Sequence, residues 1–146
     1  MEVGKPPQSP EPMNTPRWRM IALGFVFLWF FVGGIAHFAA TSFEMTIVPG
    51  YVPWPRATVL LTGVFELLGA AGLLYRSTRR AASIGLLLLT VAVTPANVYM
   101  LQHADSFPVP HWALVLRLPL QIGLLALIAW STTVMKNRDG ADSETS

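Results

Sequence analysis

Cysteine is absent from all 146 residues. Disulfides, thiol redox relays, iron–sulfur ligation and thiolate zinc sites therefore lie outside the chemistry of this chain. Charge is scarce as well. Asp, Glu, Lys and Arg together make up 12% of the residues, against about 25% in a soluble domain. So few charges cannot supply the polar surface that wraps an aqueous core. Also missing are the short alternating segments that build a membrane barrel, which leaves helices as the spanning solution. The net charge is +2 and the pI is near 9.4. The basic residues form no stripe with interleaved aromatics, so no nucleic acid is indicated as a partner.

What the chain has in excess is apolar surface, 53% of residues, with a mean hydropathy of +0.49. It is gathered into four runs, Trp18–Ala40, Ala57–Tyr75, Ala81–Leu101 and Trp112–Met135. Each has about the 20 residues that an α-helix needs to cross ~30 Å of hydrocarbon. The fold class expected is an all-α membrane protein, a four-transmembrane-helix bundle occupying 18–135 and embedded in the lipid bilayer. The flanking segments 1–17 and 136–146, rich in proline or polar groups, read as disordered tails. Arg17 and Arg19 before an apolar run also suit a secretory leader, but the length and aromatic content of FVFLWFF favour a retained helix.

Lysine and arginine set an orientation. Lys5, Arg17 and Arg19 precede the first run, Arg76, Arg79 and Arg80 lie between the second and third, and Lys136 and Arg138 follow the fourth. The other two connections hold only Arg56. Both termini and the RSTRR turn are then expected in the cytoplasm. The first outer connection, TSFEMTIVPGYVPWPR, carries Pro49, Pro53 and Pro55 and is expected to be a stiff, non-helical cap.

Polar side chains inside the runs are few. Hydroxyl residues and Arg19 at the first edge apart, they are His37, Glu66, Asn97, Arg117 and Gln121. Counted at ~1.5 Å per residue, all five fall in the outer half of the bilayer. Ionisable groups are costly there and usually face a partner or a wet cavity, so Glu66 and Arg117 are expected to meet. Small residues share their faces, Gly33 and Gly34 near His37 and Thr62, Gly63, Gly69 and Ala70 near Glu66, which points these faces into the bundle. Pro95 and Pro119 are expected to kink the third and fourth helices. Two readings of the cluster stand side by side. It is a register clamp with amide glue, or a pocket for a ligand headgroup or for protons. A metal site from His37, His103 and Glu66 lacks helical ligand spacing, so no metal is expected.

In order along the chain, GGIAHF (33–38), IVPGYVPWP (47–55), GVFELLGAAGLL (63–74), TRRAA (78–82), PANVYM (95–100) and RLPLQ (117–121) resemble the DoxX-like family of small bacterial membrane proteins. The resemblance covers the membrane domain and neither tail. It implies a four-helix bundle in the bacterial inner membrane, multi-pass, with His37, Glu66, Pro95, Asn97, Arg117, Pro119 and Gln121 as pattern positions without an assigned catalytic role. The family's namesake is a subunit of a thiosulfate:quinone oxidoreductase. Without cysteine, a redox partnership here implies a bound quinone or another subunit.

Two functions follow. No nucleophile–base arrangement is visible, which favours a non-enzymatic accessory or assembly subunit, packed against other membrane subunits or copies of itself. The span-two GAAG and the aromatic face of span one suit such contacts as readily as internal packing. The alternative is a quinone- or small-molecule-binding protein whose pocket is lined by the five polar residues.

Overall fold

A computed structural model describes residues 17–143, with side chains as far as Trp130. Expectations for 1–16 and 144–146 lie outside the described residues; Arg17 already belongs to the first helix. The elements are α1 (Arg17–Ala39), α2 (Thr41–Ile47), α3 (Pro55–Leu74), α4 (Arg79–Ala92), α5 (Thr94–Gln102), a 3-10 turn (Ala104–Ser106) and α6 (His111–Ser143). Four segments are long and apolar enough to cross a membrane: α1, α3, α4 with α5, and α6 as far as Trp130. The all-α, four-helix membrane bundle expected from the apolar runs is therefore the observed architecture, and the chain is a multi-pass membrane protein.

Each boundary has a local cause. At the end of α1, the Thr41 hydroxyl donates to the carbonyls of His37 (2.7 Å) and Phe38 (3.1 Å), two of the last acceptors of that helix. The chain then re-enters a helix at once. Thr41–Ile47 forms α2, so the outer connection is not wholly non-helical as its prolines suggested. Those prolines begin only at Pro49, and residues before them are free to coil. Trp54 closes the connection with a left-handed backbone (φ 51°), and Pro55 starts α3 where a missing N–H costs nothing. At the opposite end, Thr78 Oγ1 donates to Gly72 O (2.9 Å) and Arg79 Nε to Leu73 O (2.8 Å). These side chains cap the last carbonyls of α3 and fix the tight RSTRR turn.

The two proline expectations came out differently. Pro95 divides the third span into α4 and α5 at Val93, a break rather than a bend within one helix. Pro119 lies inside a continuous α6. That helix also runs on past Met135 to Ser143, through residues that read as tail. Lys136–Asp139 contain no proline, so nothing in the backbone stops the last turns.

Around the bundle α1 packs on α3, α3 on α4, and α4 on α6, which returns to α1. The α1–α3 seam is the closest. Cβ atoms added at Gly34 and Gly63 would each lie 3.1 Å from the other residue's carbonyl oxygen, so bare backbone faces bare backbone. Gly69 and Gly72 of the GAAG motif face Leu86 and Ala82 of α4. Those two glycines serve internal packing, one of the two uses open to them on sequence grounds. Outward faces carry apolar side chains, Phe25, Leu28 and Val32 on α1 and Leu61, Phe65 and Leu68 on α3, as a lipid-facing surface requires. Inside are two separate apolar clusters. One joins Val26, Phe30, Ala70, Leu73, Leu86, Leu124 and Ile128; the other joins Ile47, Met100 and Leu114.

Candidate functional site

Between the two clusters lies a cavity of about 640 Å³. Phe30 and Leu124 of the first cluster and Ile47 of the second are part of its wall. So are His37, Glu66, Asn97, Arg117 and Gln121, together with Glu44, Thr58, Thr62, Thr90 and Tyr51. All five polar residues singled out in the apolar runs thus face one space. They come from α1, α3, α5 and α6, at the end of the bundle that carries the connections 41–54 and 103–110. Exposed Trp29, Tyr51 and Leu120 among the lining residues carry the cavity to the surface of the bundle.

The expected Glu66–Arg117 pair is not formed. Among the described residues the ion pairs are those of His37, with Glu66 (Nε2–Oε1 3.7 Å) and with Glu44 (Nδ1–Oε2 4.0 Å). Arg117 instead directs Nη1 to the Met100 thioether sulfur at 3.2 Å, a weak acceptor. The reason is steric. Gly33 has no side chain, and a Cβ there would sit 2.7 Å from Glu66 Oε2, so the carboxylate nests against α1 and away from α6. Met100 reaches Arg117 because α5, beyond the break, packs on α6.

The polar set divides in two. On the α4–α5–α6 side, Gln121 is buried and fully engaged. Its Nε2 donates to Thr90 O (2.7 Å) and Thr94 Oγ1 (2.6 Å), and its Oε1 accepts from Asn97 Nδ2 (2.7 Å). These bonds bridge the break, tying the last turn of α4 and the first of α5 to α6. The backbone acceptor served is Thr90 O, one residue before the Val91 carbonyl that Pro95 leaves without its helical donor. On the α1–α2–α3 side the groups are loosely held. His37 Nδ1 and Glu66 Oε2 are buried without a hydrogen-bond partner on the protein. The two His37–carboxylate distances exceed the ~3.2 Å limit of a sound hydrogen bond. Buried polar atoms are nearly always satisfied, so orphans grouped at a cavity mark a place where something else completes them.

Sequence reading missed Glu44, Thr90, Thr94 and Met100. Glu44 lies outside the apolar runs, in what looked like loop; its one signal is an acid among Phe43, Met45 and Ile47, an apolar setting. The threonines are too ordinary in a membrane helix to be noticed. His103 is far from forming a metal site with His37 and Glu66. It is exposed, stacks on Tyr99 (ring centroids 4.3 Å apart) and places Nδ1 2.9 Å from Tyr99 O. Among the described residues, no group of three potential metal ligands forms.

Fold and site together define a multi-pass, all-helical membrane protein with a polar-lined cavity near one end. A family model described as a domain of unknown function (DUF8561) matches residues 26–135, and the chain belongs to that family. No curated protein and no solved structure matches it.

Proposed function

We propose that this protein binds a small amphipathic molecule of the quinone class in the cavity, a chemistry in keeping with its resemblance to the DoxX-like family, whose namesake is a subunit of a thiosulfate:quinone oxidoreductase. One observation carries the reading. Four spans deliver their few polar side chains to a single 640 Å³ space, and two of those side chains keep unpartnered buried atoms there. A quinone carbonyl seeks a donor. Arg117, bonded only to a thioether, offers several, and Asn97 keeps one of its two amide hydrogens beyond that given to Gln121. A reduced quinol needs a proton acceptor, a part that His37 and Glu66 suit. The apolar wall from Phe30, Ile47 and Leu124 suits the ring and the start of a tail. The arginine and lysine distribution supports both termini in the cytoplasm, which puts the cavity toward the outer leaflet, and the resemblance to DoxX-like proteins supports a bacterial inner membrane.

The accessory-subunit reading is supported by the satisfied Gln121 network, which ties α4 and α5 to α6. The two readings are compatible, since a ligand-carrying subunit needs no reaction of its own.

The test is thermal unfolding of the purified protein with and without a short-chain ubiquinone analogue. At 100 times its dissociation constant, a ligand of the native state adds about 2.7 kcal/mol, enough to raise the melting temperature by several degrees. Arg117→Gln is expected to keep the fold and lose that shift. An equal shift in the variant removes Arg117 from the site. No shift in the wild type sinks the quinone reading and leaves the accessory role.

A further inference from the structure

The cavity's acid–base groups are not scattered around its wall. His37 stands between two carboxylates from two other elements, Glu44 on α2 facing Nδ1 and Glu66 on α3 facing Nε2. Side-chain exposure falls along the series, from 20% at Glu44 through 16% at His37 to 13% at Glu66. Position follows the same order. Glu44 belongs to the connection at the end of the bundle, and His37 lies in the last turn of α1. Glu66 sits halfway along α3, roughly 16 Å from its start at ~1.5 Å per residue.

We propose that Glu44, His37 and Glu66 form a proton relay from the 41–54 end of the bundle to the cavity. Imidazole is suited to the middle place because its two nitrogens exchange protons separately. In the inward step the Glu44 carboxyl gives its proton to Nδ1 of His37. The Nε2 proton passes to Glu66, which becomes a neutral carboxylic acid. Glu44 is left as the carboxylate, recharged from water, and a flip of the ring then turns its protonated nitrogen toward Glu66 and its bare nitrogen toward Glu44, ready for the next proton. One proton moves and no charge is created in the apolar interior, where an isolated ion is costly. Distances of 3.7 and 4.0 Å are within a small side-chain rotation of hydrogen-bond contact. A chain of tight permanent bonds would hold the ring too firmly to flip.

The groups facing the relay are accounted for element by element. α2 contributes Glu44 and α3 contributes Glu66. Across the cavity α6 contributes Arg117, and the connection before α3 contributes Tyr51; α4 and α5 bring only the uncharged Thr90 and Asn97. Gly33 is part of the device, since only a residue without a side chain lets the Glu66 carboxylate lie against α1.

The relay rests on the binding-site reading only for the use to which the proton is put, so it is tested with no quinone present. The full chain in lipid nanodiscs is subjected to a pH jump, and the carboxyl band of Glu66 is followed by time-resolved infrared spectroscopy. The band is assigned by its loss in Glu66→Gln. In the wild type it is expected to follow the jump, and His37→Gln, which cannot exchange protons, is expected to slow it about tenfold or more. Glu44→Gln is expected to slow it by a smaller factor, and carries the test by itself should His37→Gln fail to fold. Protonation of Glu66 at the wild-type rate in the folded variants overturns the relay, because water entering the cavity then suffices. A Glu66 band that never responds in the wild type overturns it too.

Discussion

The polar groups of the α4–α5–α6 side, amides and hydroxyls, and those of the α1–α2–α3 side, an imidazole and two carboxylates, line the same cavity and are held in opposite ways. Gln121 makes hydrogen bonds of 2.6 to 2.7 Å to three partners. His37 sits 3.7 and 4.0 Å from its two carboxylates, with Nδ1 and Glu66 Oε2 unpartnered. The difference teaches that a polar residue in a membrane helix is not one kind of signal. Where a proline has interrupted a span, a long amide ties the two pieces to a neighbouring helix through short hydrogen bonds. Where glycines have brought two helices together, the polar groups line a space and remain available.

This contrast makes the Gln121 side the more sensitive to truncation. Gln121→Leu keeps the volume but leaves the Asn97 amide without its partner, and takes the Gln121 donor from Thr90 O and from the Thr94 hydroxyl, which keep only their mutual bond of 3.2 Å. It is expected to cost about 2 kcal/mol of stability, at the upper end of interhelical hydrogen bonding in membranes. Chemical unfolding in detergent is the measurement. A wild-type midpoint would show that water replaces the amide freely, and the division drawn above would fail.

Next in size is Gly63→Ala, directed at the scaffold of the other side. The new methyl would lie 2.7 Å from His37 Cβ and 3.1 Å from Gly34 O, neither of which is a flexible chain end. The helices must separate, and overpacking of this kind costs about 1–3 kcal/mol. His37 moves with α1, so quinone-dependent stabilisation is expected to fall together with stability. Loss of stability with unchanged quinone binding would detach the seam from the site.

How much of this was legible beforehand follows from which interactions are local. Apolar runs and cationic edges marked the four spans, because crossing a bilayer is a condition on contiguous sequence. Pro95 marked the interruption of the third span, since the missing N–H is a property of one residue. The set of five cavity residues was legible for the same reason: a polar side chain in an apolar run must be turned inward. Their pairing was not legible. Whether Glu66 turns to His37 or to Arg117 depends on how closely α1 and α3 approach, which Gly33, Gly34 and Gly63 decide jointly and across two helices. Helix α2 escaped notice because seven residues hold too little periodicity to separate a coil from a turn, and Glu44 escaped with it.

A smaller effect is expected from Glu66→Gln. Had Glu66 clamped Arg117, its removal would leave an uncompensated buried cation and a poorly folded protein. With His37 at 3.7 Å as its nearest ionic partner, the carboxylate contributes little to the fold. The neutral amide is expected to stay within about 1 kcal/mol of the wild type, in either direction. Folded yield from membranes and thermal unfolding both check this. A collapse in yield would return Glu66 to the structural side of the comparison.

The smallest stability change is expected at Gly33→Ala, and it bears most directly on the comparison. Its methyl meets Glu66 Oε2 at 2.7 Å and the rest of that carboxyl group at 3.6 and 3.9 Å, with no backbone atom among the contacts. The far end of a flexible side chain gives way cheaply, and an alanine in a helix recovers up to about 1 kcal/mol of propensity relative to glycine. Stability is therefore expected to change by less than about 1 kcal/mol in either direction. Glu66, however, can no longer lie against α1, and its carboxylate is displaced across the cavity toward α6, where Arg117 is the available cation. The variant should trade the observed arrangement for the ion pair that the charges alone suggest. The expected result is a protein as stable as the wild type whose response to a quinone analogue is lost. A second substitution, Arg117→Gln, should then destabilise Gly33→Ala more than it destabilises the wild type, by the coupling that a double-mutant cycle reads. Zero coupling would mean that Glu66 finds another resting place, and that Gly33 is not what keeps the two charges apart.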